Sequence, residues 1–347
     1  MIPDQSNLDT EYVYTPDAQK DMITNLPGLT FELTFKQFSG YIQVSGGEHL
    51  RKLHYWYIES SGNPSTDPVV FWTNGGPGCS GLLGLGIEFG PYFFEKDGSL
   101  TPNPHTWNQV ANILYVEQPA GVGFSTYKKP SDGNMGEKRA AVDNFQLITQ
   151  FFERFPERKS NEFYIASESF GGHYMPNLAL EILDHNDGSI NFRGFAVGNP
   201  YVDPYSKDIT QMQAYYSHGL FPQPEFTKWE KNCMGPDAYL TDECQHLEEK
   251  LYSYPGEGIN FYGLDYPMCT EANPEHWPQW RRRSLTATAQ IDIASASVQP
   301  RRRAALSSQA RHLMQHTSRS SPPFLPKEDN YQPCAEAHLH FYLNRDD

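Results

Sequence analysis

Residues 163–174 read FYIASESFGGHY and place a strand, a sharp turn and a helix next to one another. The apolar run 163–165 predicts a strand, small residues surround Ser169, and the run 175–183 predicts a helix. A nucleophile elbow uses this context, with the pattern G-x-S-x-G, to lift a serine hydroxyl out of the backbone. Ser167 replaces the first glycine here, which predicts local strain rather than loss of the turn.

The pattern around this stretch predicts an α/β fold with a largely parallel sheet. Helical periodicity separates short apolar runs that are typical of buried strands. The predicted strands are 69–72, 113–116, 163–165 and 192–197, and the predicted helices are 140–155 and 176–183. Residues 1–203 are interpreted as the core. Aromatic residues, prolines and short helical pieces then dominate, so 204–347 is interpreted as an inserted cap, including an Arg/Ser/Ala-rich segment at 281–324 that is predicted to be disordered.

Composition excludes several classes of protein. The formal net charge of −15 disfavours nucleic acid as a partner and suits an acidic environment. No run of 18 apolar residues is present, so no membrane span is expected. The polar, acidic start of the chain is not expected to act as a signal peptide, so either the protein is cytosolic or a leader is absent from this sequence. The five cysteines contain no C-x-x-C pair, so no zinc site is expected, and no cofactor is predicted.

A glycine-rich stretch upstream has the composition of an oxyanion hole. Residues 72–91 read WTNGGPGCSGLLGLGIEFGP, and residues 75–80 are here called the glycine loop. Glycines let the backbone approach a ligand and direct N–H groups at it, which an anionic tetrahedral intermediate requires. The alternative is a plain loop, which three glycines after a predicted strand make the weaker interpretation.

Four blocks together resemble a known family. The blocks are WTNGGPGCSGLLGLGIEFGP (72–91), NILYVEQPAGVGFS (112–125), the Ser169 elbow and GFAVGNPYVDP (194–204). Their order and spacing resemble the serine carboxypeptidases, a branch of the α/β-hydrolase superfamily. The similarity covers roughly residues 20–270 and resumes at 331–334 and 342–344.

The resemblance implies an α/β-hydrolase core with an inserted cap and assigns roles to individual residues. Ser169 is the implied nucleophile, and the backbone N–H groups of Gly76 and Phe170 form the implied oxyanion hole. The implied site for the C-terminal carboxylate of a substrate consists of Asn74, Glu88 and Glu168. Carboxyl groups bind a carboxylate if a close pair shares a proton, because like charges raise one pKa.

Structural interpretations of the same residues are also open. Ser169 could cap a helix, Glu168 could be a solvated turn residue, and Glu88 could lie on the surface of a helix. His173 is expected to pack on the helix after the elbow, which carries it away from the nucleophile.

A catalytic serine also needs a base and an orienting acid, which follow it in α/β-hydrolases as Asp and then His. The motifs that carry both in carboxypeptidases are not found, so the C-terminal part of the core is predicted to be missing. The available Asp203 and Asp265 lack the right surroundings, as do His338 and His340, which are expected on a helix of the cap.

The cysteines fit the resemblance with one exception. The family pattern implies the disulfides Cys79–Cys334 and Cys233–Cys244. It also implies a partner for Cys269 about twenty residues on, where the segment 281–324 has none. That segment is interpreted either as a processing linker, with triple arginines for a protease, or as a mistranslated stretch of a gene model.

The sequence therefore predicts a serine-type carboxypeptidase that removes C-terminal residues from peptides and proteins through an acyl-enzyme. Without the Asp and His, only residual activity is expected of the chain as it stands. The alternatives are an acyltransferase on the same scaffold and a non-catalytic binding or protective protein. The resemblance implies a vacuolar, lysosomal or extracellular location.

Overall fold

The architecture is seen in a computed structural model of the chain. It describes residues 13–45, 47–133, 135–235, 238, 241–255, 259–266 and 335–344. The segment 281–324 and Cys269 lie outside these residues, so the predictions made for them stay predictions.

One mixed sheet carries most of the described fold. Apolar and aromatic side chains line its central strands, which are almost fully buried. Its strands are β1 (Gln37–Gln43), β2 (Arg51–Ile58), β3 (Val69–Thr73), β6 (Asn112–Val116), β7 (Thr126–Tyr127), β8 (Phe163–Glu168) and β9 (Phe192–Gly198). A separate hairpin consists of β4 (Tyr92–Phe94) and β5 (Leu100–Pro102).

The strand order is β1-β2-β6-β3-β8-β9, with β7 paired to the start of β2. The pairs β3–β6, β3–β8 and β8–β9 are parallel, whereas β1–β2, β2–β6 and β2–β7 are antiparallel. The parallel half therefore contains the strand before the predicted elbow and both of its neighbours. The predicted α/β class with a largely parallel sheet is confirmed. Each strand predicted from the sequence is present, and the largest difference is at β8, which extends three residues beyond the predicted end at 165.

Helices cover the sheet and continue beyond it. Their bounds are α1 (Pro16–Asp21), α2 (Glu137–Arg154), α3 (Gly171–His185), α4 (Pro204–Ser217), α5 (Gln223–Cys233), α6 (Asp242–Tyr252) and α7 (Ala335–Leu343). α3 begins earlier than predicted, immediately after the elbow, and contains Pro176 in its second turn. No helix among the described residues is long and apolar enough to cross a membrane.

Two apolar clusters fill the space around the sheet. In one, α2 and α3 pack their buried faces against the strands, including Phe151 and Leu178. In the other, Leu339 and Tyr342 of α7 pack with residues of β2 and β4. His338 and His340 lie on this helix, which packs against β4 and residues 84–88. The expected place of the helix in the cap stays a prediction. The predicted boundary at residues 203/204 stays a prediction.

A third cluster joins α4, α5 and α6. Trp229 is 1% exposed at its centre, and the disulfide Cys233–Cys244 links α5 to α6. These helices lie within the region 204–347 that was interpreted as a cap.

Candidate active site

The turn between β8 and α3 holds Ser169 in a conformation that side chains disfavour. Its φ angle is +54°, a left-handed conformation that costs about 1–2 kcal/mol for a residue other than glycine. The Ser169 N–H donates to the Gly198 oxygen over 2.9 Å. Its carbonyl oxygen accepts from the N–H groups of Gly172 (3.0 Å) and Tyr201 (2.7 Å). The strand, the strained turn and the helix form the arrangement that a nucleophile elbow needs.

Ser167 is accommodated by the strand that carries it. Its backbone pairs with Thr73 and Val197 on the two neighbouring strands, and its hydroxyl donates to the Thr73 oxygen over 2.6 Å. A Cβ on Gly171 would lie 2.2 Å from the Ser167 hydroxyl oxygen, so the serine requires glycine at position 171. The left-handed backbone of the elbow lies at Ser169 and not at Ser167.

The parallel pairing of β3 and β8 brings Asn74 and Glu168 together. Thr73 pairs with Ser167, so Asn74 and Glu168, the next residues, lie at the same edge of the sheet. Ligands bind at this edge of parallel sheets. Asn74 Nδ2 donates to Glu168 Oε1 over 3.3 Å and to Glu88 Oε1 over 2.6 Å. One amide group, on a residue only 1% exposed, therefore joins the two carboxyl groups that the resemblance singled out.

The orientation of Asn74 is fixed by two further hydrogen bonds. Its Oδ1 accepts from the indole Nε1 of Trp72 over 2.9 Å and from the Gly84 N–H over 3.0 Å. The amide nitrogen must then face the carboxyl groups, because its oxygen is already occupied. Trp72 was not predicted to be part of the site. Its position two residues before Asn74 could have indicated the contact, because residues two apart share a face of a strand.

Glu88 holds a proton more tightly than an ordinary carboxyl group. Burial raises its pKa to about 7; the hydrogen bond from Asn74 opposes the rise, and the charge of Glu168 adds to it. The residue as a whole is exposed to solvent, whereas its carboxyl group lies against the buried side chain of Asn74. The sequence predicted a retained proton through charge repulsion, whereas burial is the larger cause.

The glycine loop lies directly against the elbow. A Cβ on Gly75 would lie 2.5 Å from the Phe170 nitrogen. Gly76 and Gly78 have φ angles of +106° and +88°, which favour glycine. Within the described part of the chain, neither the Gly76 N–H nor the Phe170 N–H donates a hydrogen bond. Two backbone donors near Ser169 are thus available to a ligand.

His173 packs rather than serving Ser169. Its ring stacks on Phe170 with centroids 4.6 Å apart, and its Nδ1 lies 3.1 Å from Glu137 Oε1. Asp203 caps the start of α4. Among the described residues, no side chain hydrogen-bonds to the Ser169 hydroxyl.

One of the two disulfides that the resemblance implies is present among the described residues. Cys233 and Cys244 form a disulfide with Cα atoms 5.5 Å apart. Cys334 lies outside the described residues, so its pairing with Cys79 stays a prediction. The described residues contain no group of three or more His, Cys, Asp or Glu side chains that could hold a metal ion.

The parallel sheet with a strained serine at a strand–helix turn is an α/β-hydrolase-type fold. The solved structure of Kex1(delta)p, a prohormone-processing carboxypeptidase from Saccharomyces cerevisiae, shares this fold with a TM-score of 0.62. It is 23% identical, and the match covers 78% of this chain and 66% of that one.

The chain belongs to the serine carboxypeptidase family, whose sequence model matches residues 27–347. It is 38% identical to serine carboxypeptidase-like 36 of Arabidopsis thaliana over 262 residues, which are 75% of this chain and 54% of that relative. It is 41% identical to the lysosomal protective protein of Mus musculus over 265 residues, again 54% of the relative. The chain thus spans about half the length of these relatives.

Proposed function

We propose that the site removes C-terminal residues from peptides and proteins, with Ser169 as the nucleophile of an acyl-enzyme. The observation that carries this proposal is the group Asn74, Glu88 and Glu168, here called the carboxylate site, which lies at the same sheet edge as the elbow. The carboxylate site can recognise a free C-terminus, because only the end of a peptide backbone carries a carboxylate group.

A protonated Glu88 makes recognition of a carboxylate possible. With its pKa raised to about 7, this carboxyl group keeps its proton at acidic pH. It then acts as a hydrogen-bond donor to the substrate carboxylate. Asn74 is already oriented with its amide group toward the same space. Ionisation of Glu88 would replace this donor by a repelling charge.

The reaction at Ser169 forms an anionic oxygen on the scissile carbonyl. The Ser169 oxygen attacks the carbonyl carbon, and the unused N–H groups of Gly76 and Phe170 are the proposed donors to the resulting oxyanion. The amine of the C-terminal residue then leaves with a proton, and water hydrolyses the acyl-serine. The base that accepts the Ser169 proton is not assigned to any described residue.

The family relationship supports an acidic site of action. One relative is named a lysosomal protective protein, and protonation of Glu88 below about pH 7 suits such an environment. We therefore propose peptide C-termini as partners and a lysosomal, vacuolar or extracellular location.

Labelling with a fluorophosphonate tests whether Ser169 is an activated serine. Because no described side chain hydrogen-bonds to the Ser169 hydroxyl, we expect slow labelling at Ser169 in the wild-type chain. The Ser169→Ala variant should lose the label, and the variant of an exposed serine, Ser189→Ala, should keep it. The reaction is then assigned by comparing the labelled with the unlabelled protein. A carboxypeptidase releases the C-terminal amino acid of a peptide only when Ser169 is unlabelled. If peptides bind but Ser169 is not labelled, the protein is a binding protein; if added alcohols take up the acyl group in preference to water, it is an acyltransferase.

A further inference from the structure

We propose that Glu117 is a positioning residue for the reaction at Ser169, and that it acts by holding the end of the glycine loop through Ser80. The inference rests on the proposed function, because it concerns the loop that would carry one oxyanion donor. Glu117 is a buried residue that belongs neither to the carboxylate site nor to the elbow.

Glu117 is a buried acceptor with three donors. It follows β6 and is 1% exposed. Its Oε1 accepts from the hydroxyl of Ser80, and its Oε2 accepts from the Phe124 N–H over 2.8 Å and from His54 Nδ1 over 3.0 Å. A carboxylate is the side chain that accepts all three at once. Hydrogen bonds to an ionised acceptor are about twice as strong as neutral ones.

His54 ties this carboxylate to the sheet. The His54 Nδ1 faces Glu117, and its Nε2 lies 2.8 Å from the Ser39 hydroxyl oxygen. The His54 N–H donates to the Ser125 hydroxyl over 2.8 Å, and that hydroxyl donates to the Glu117 carbonyl oxygen over 2.5 Å. Glu117 is therefore held by β1, by β2 and by the segment after β6, and its side chain has little freedom to follow a moving loop.

Ser80 connects the glycine loop to this fixed point. Besides donating to Glu117, its hydroxyl accepts from the Leu82 N–H over 3.1 Å. The next residue, Gly81, packs closely on β6, since a Cβ at this position would lie 2.1 Å from the Val116 oxygen. The loop is thus packed on the elbow at Gly75 and bound to Glu117 at Ser80.

The proposed oxyanion donor lies between these two anchors. Gly76 has a φ angle of +106°, and glycine has the greatest backbone freedom of any residue. An oxyanion donor must lie within a few tenths of an ångström of its place, and small displacements cost large factors in rate. Release of the Ser80 anchor should therefore loosen the Gly76 N–H while leaving Asn74, which is fixed by other bonds, in position.

The test compares Ser80→Ala with a matched serine. Ser60 makes the same two bonds elsewhere, because its hydroxyl donates to Asp67 over 2.6 Å and accepts from the Gly62 N–H over 3.0 Å. We expect amide hydrogen exchange in residues 74–84 to accelerate about tenfold in Ser80→Ala and not in Ser60→Ala. Ser80→Thr keeps the hydroxyl and should restore slow exchange.

Two functional readouts separate positioning from general stabilisation. In Ser80→Ala, the rate of fluorophosphonate labelling at Ser169 should fall about tenfold, whereas affinity for a peptide with a free C-terminus should stay within about twofold. Unchanged exchange in residues 74–84, or equal losses in Ser80→Ala and Ser60→Ala, would overturn the inference. Absence of Ser169 labelling in the wild type would instead refute the proposed function, and the exchange comparison would still decide the role of Glu117.

Discussion

Raising the pH from 5 to 8 is expected to weaken peptide binding, because Glu88 loses its proton across that interval. Its pKa is raised to about 7, first by burial of the carboxyl group and further by the charge of Glu168. The protonated form donates a hydrogen bond to the peptide carboxylate, and the ionised form repels it. Affinity should therefore be highest below pH 6 and fall as the pH passes 7.

The size of the effect follows from the protonated fraction of Glu88. With a pKa of about 7, that fraction is ~0.99 at pH 5 and ~0.09 at pH 8, which corresponds to an approximately tenfold loss of affinity. The carboxyl group of the peptide, with an ordinary pKa of roughly 3.5, stays ionised throughout this interval. Little change is expected between pH 5 and pH 6.

The assay is calorimetric titration of the Ser169→Ala chain with a short peptide that carries a free C-terminus. Glu88→Gln keeps the shape of the side chain and an N–H donor but cannot ionise, so its affinity should not change with pH. Glu153→Gln removes an exposed carboxyl group elsewhere and should retain the wild-type profile. An affinity that stayed constant or rose toward pH 8 in the wild type would refute the role given to Glu88.

The raised pKa of Glu88 also makes the stability of the fold depend on pH. The folded pKa of Glu88 lies above the ordinary value of 4.5, so the native state binds the proton more tightly than the unfolded state. Its contribution favours folding below about pH 4.5 and is lost progressively as the pH rises to about 7. Between pH 4.5 and about 7, the unfolding temperature of Glu88→Gln should therefore change less with pH than that of Glu153→Gln.

Two substitutions test the packing that supports the site. Gly75→Ala would place a methyl group 2.5 Å from the Phe170 nitrogen, so we expect about 1–3 kcal/mol of destabilisation and a roughly 100-fold slower labelling of the nucleophile; unchanged labelling would contradict the close packing of the glycine loop on the elbow. Arg158→Met removes a fully buried guanidinium that pairs with Glu59 at 2.8 Å, and leaving that carboxylate unpaired should lower the free energy of unfolding by about 3–5 kcal/mol in chemical denaturation; the double variant with Glu59→Gln should recover part of the loss.

Features set by local sequence could be predicted. The apolar run before Ser169, the small residues around it and the helix after it are encoded within about fifteen residues, so the elbow and its strands were readable. The glycines of the glycine loop were readable for the same reason, since positive φ angles and close approach both demand them. The roles of Asn74, Glu88 and Glu168 came from resemblance to a family, because nothing local links residues so far apart in the chain.

Features set by distant contacts could not be predicted. The acceptor for the Ser167 hydroxyl is a carbonyl oxygen of a strand 94 residues away in sequence, so this hydrogen bond could not be predicted from the residues around the elbow. The main cause of the raised pKa of Glu88 is burial, which only the packed structure reveals. The link between Ser80 and Glu117 likewise depends on how the glycine loop meets the end of β6.

Selectivity for a free C-terminus shows whether Asn74, Glu88 and Glu168 recognise a peptide carboxylate. The Ser169→Ala chain should be titrated at pH 5 with one peptide in two forms, a free acid and a C-terminal amide. Because a hydrogen bond to a charged group contributes about 1.5–3 kcal/mol, the free acid should bind roughly 10- to 100-fold more tightly, and Glu88→Gln should keep that preference at pH 8. Equal affinity for the two forms would show that Asn74, Glu88 and Glu168 do not recognise a peptide carboxylate, and would contradict the account.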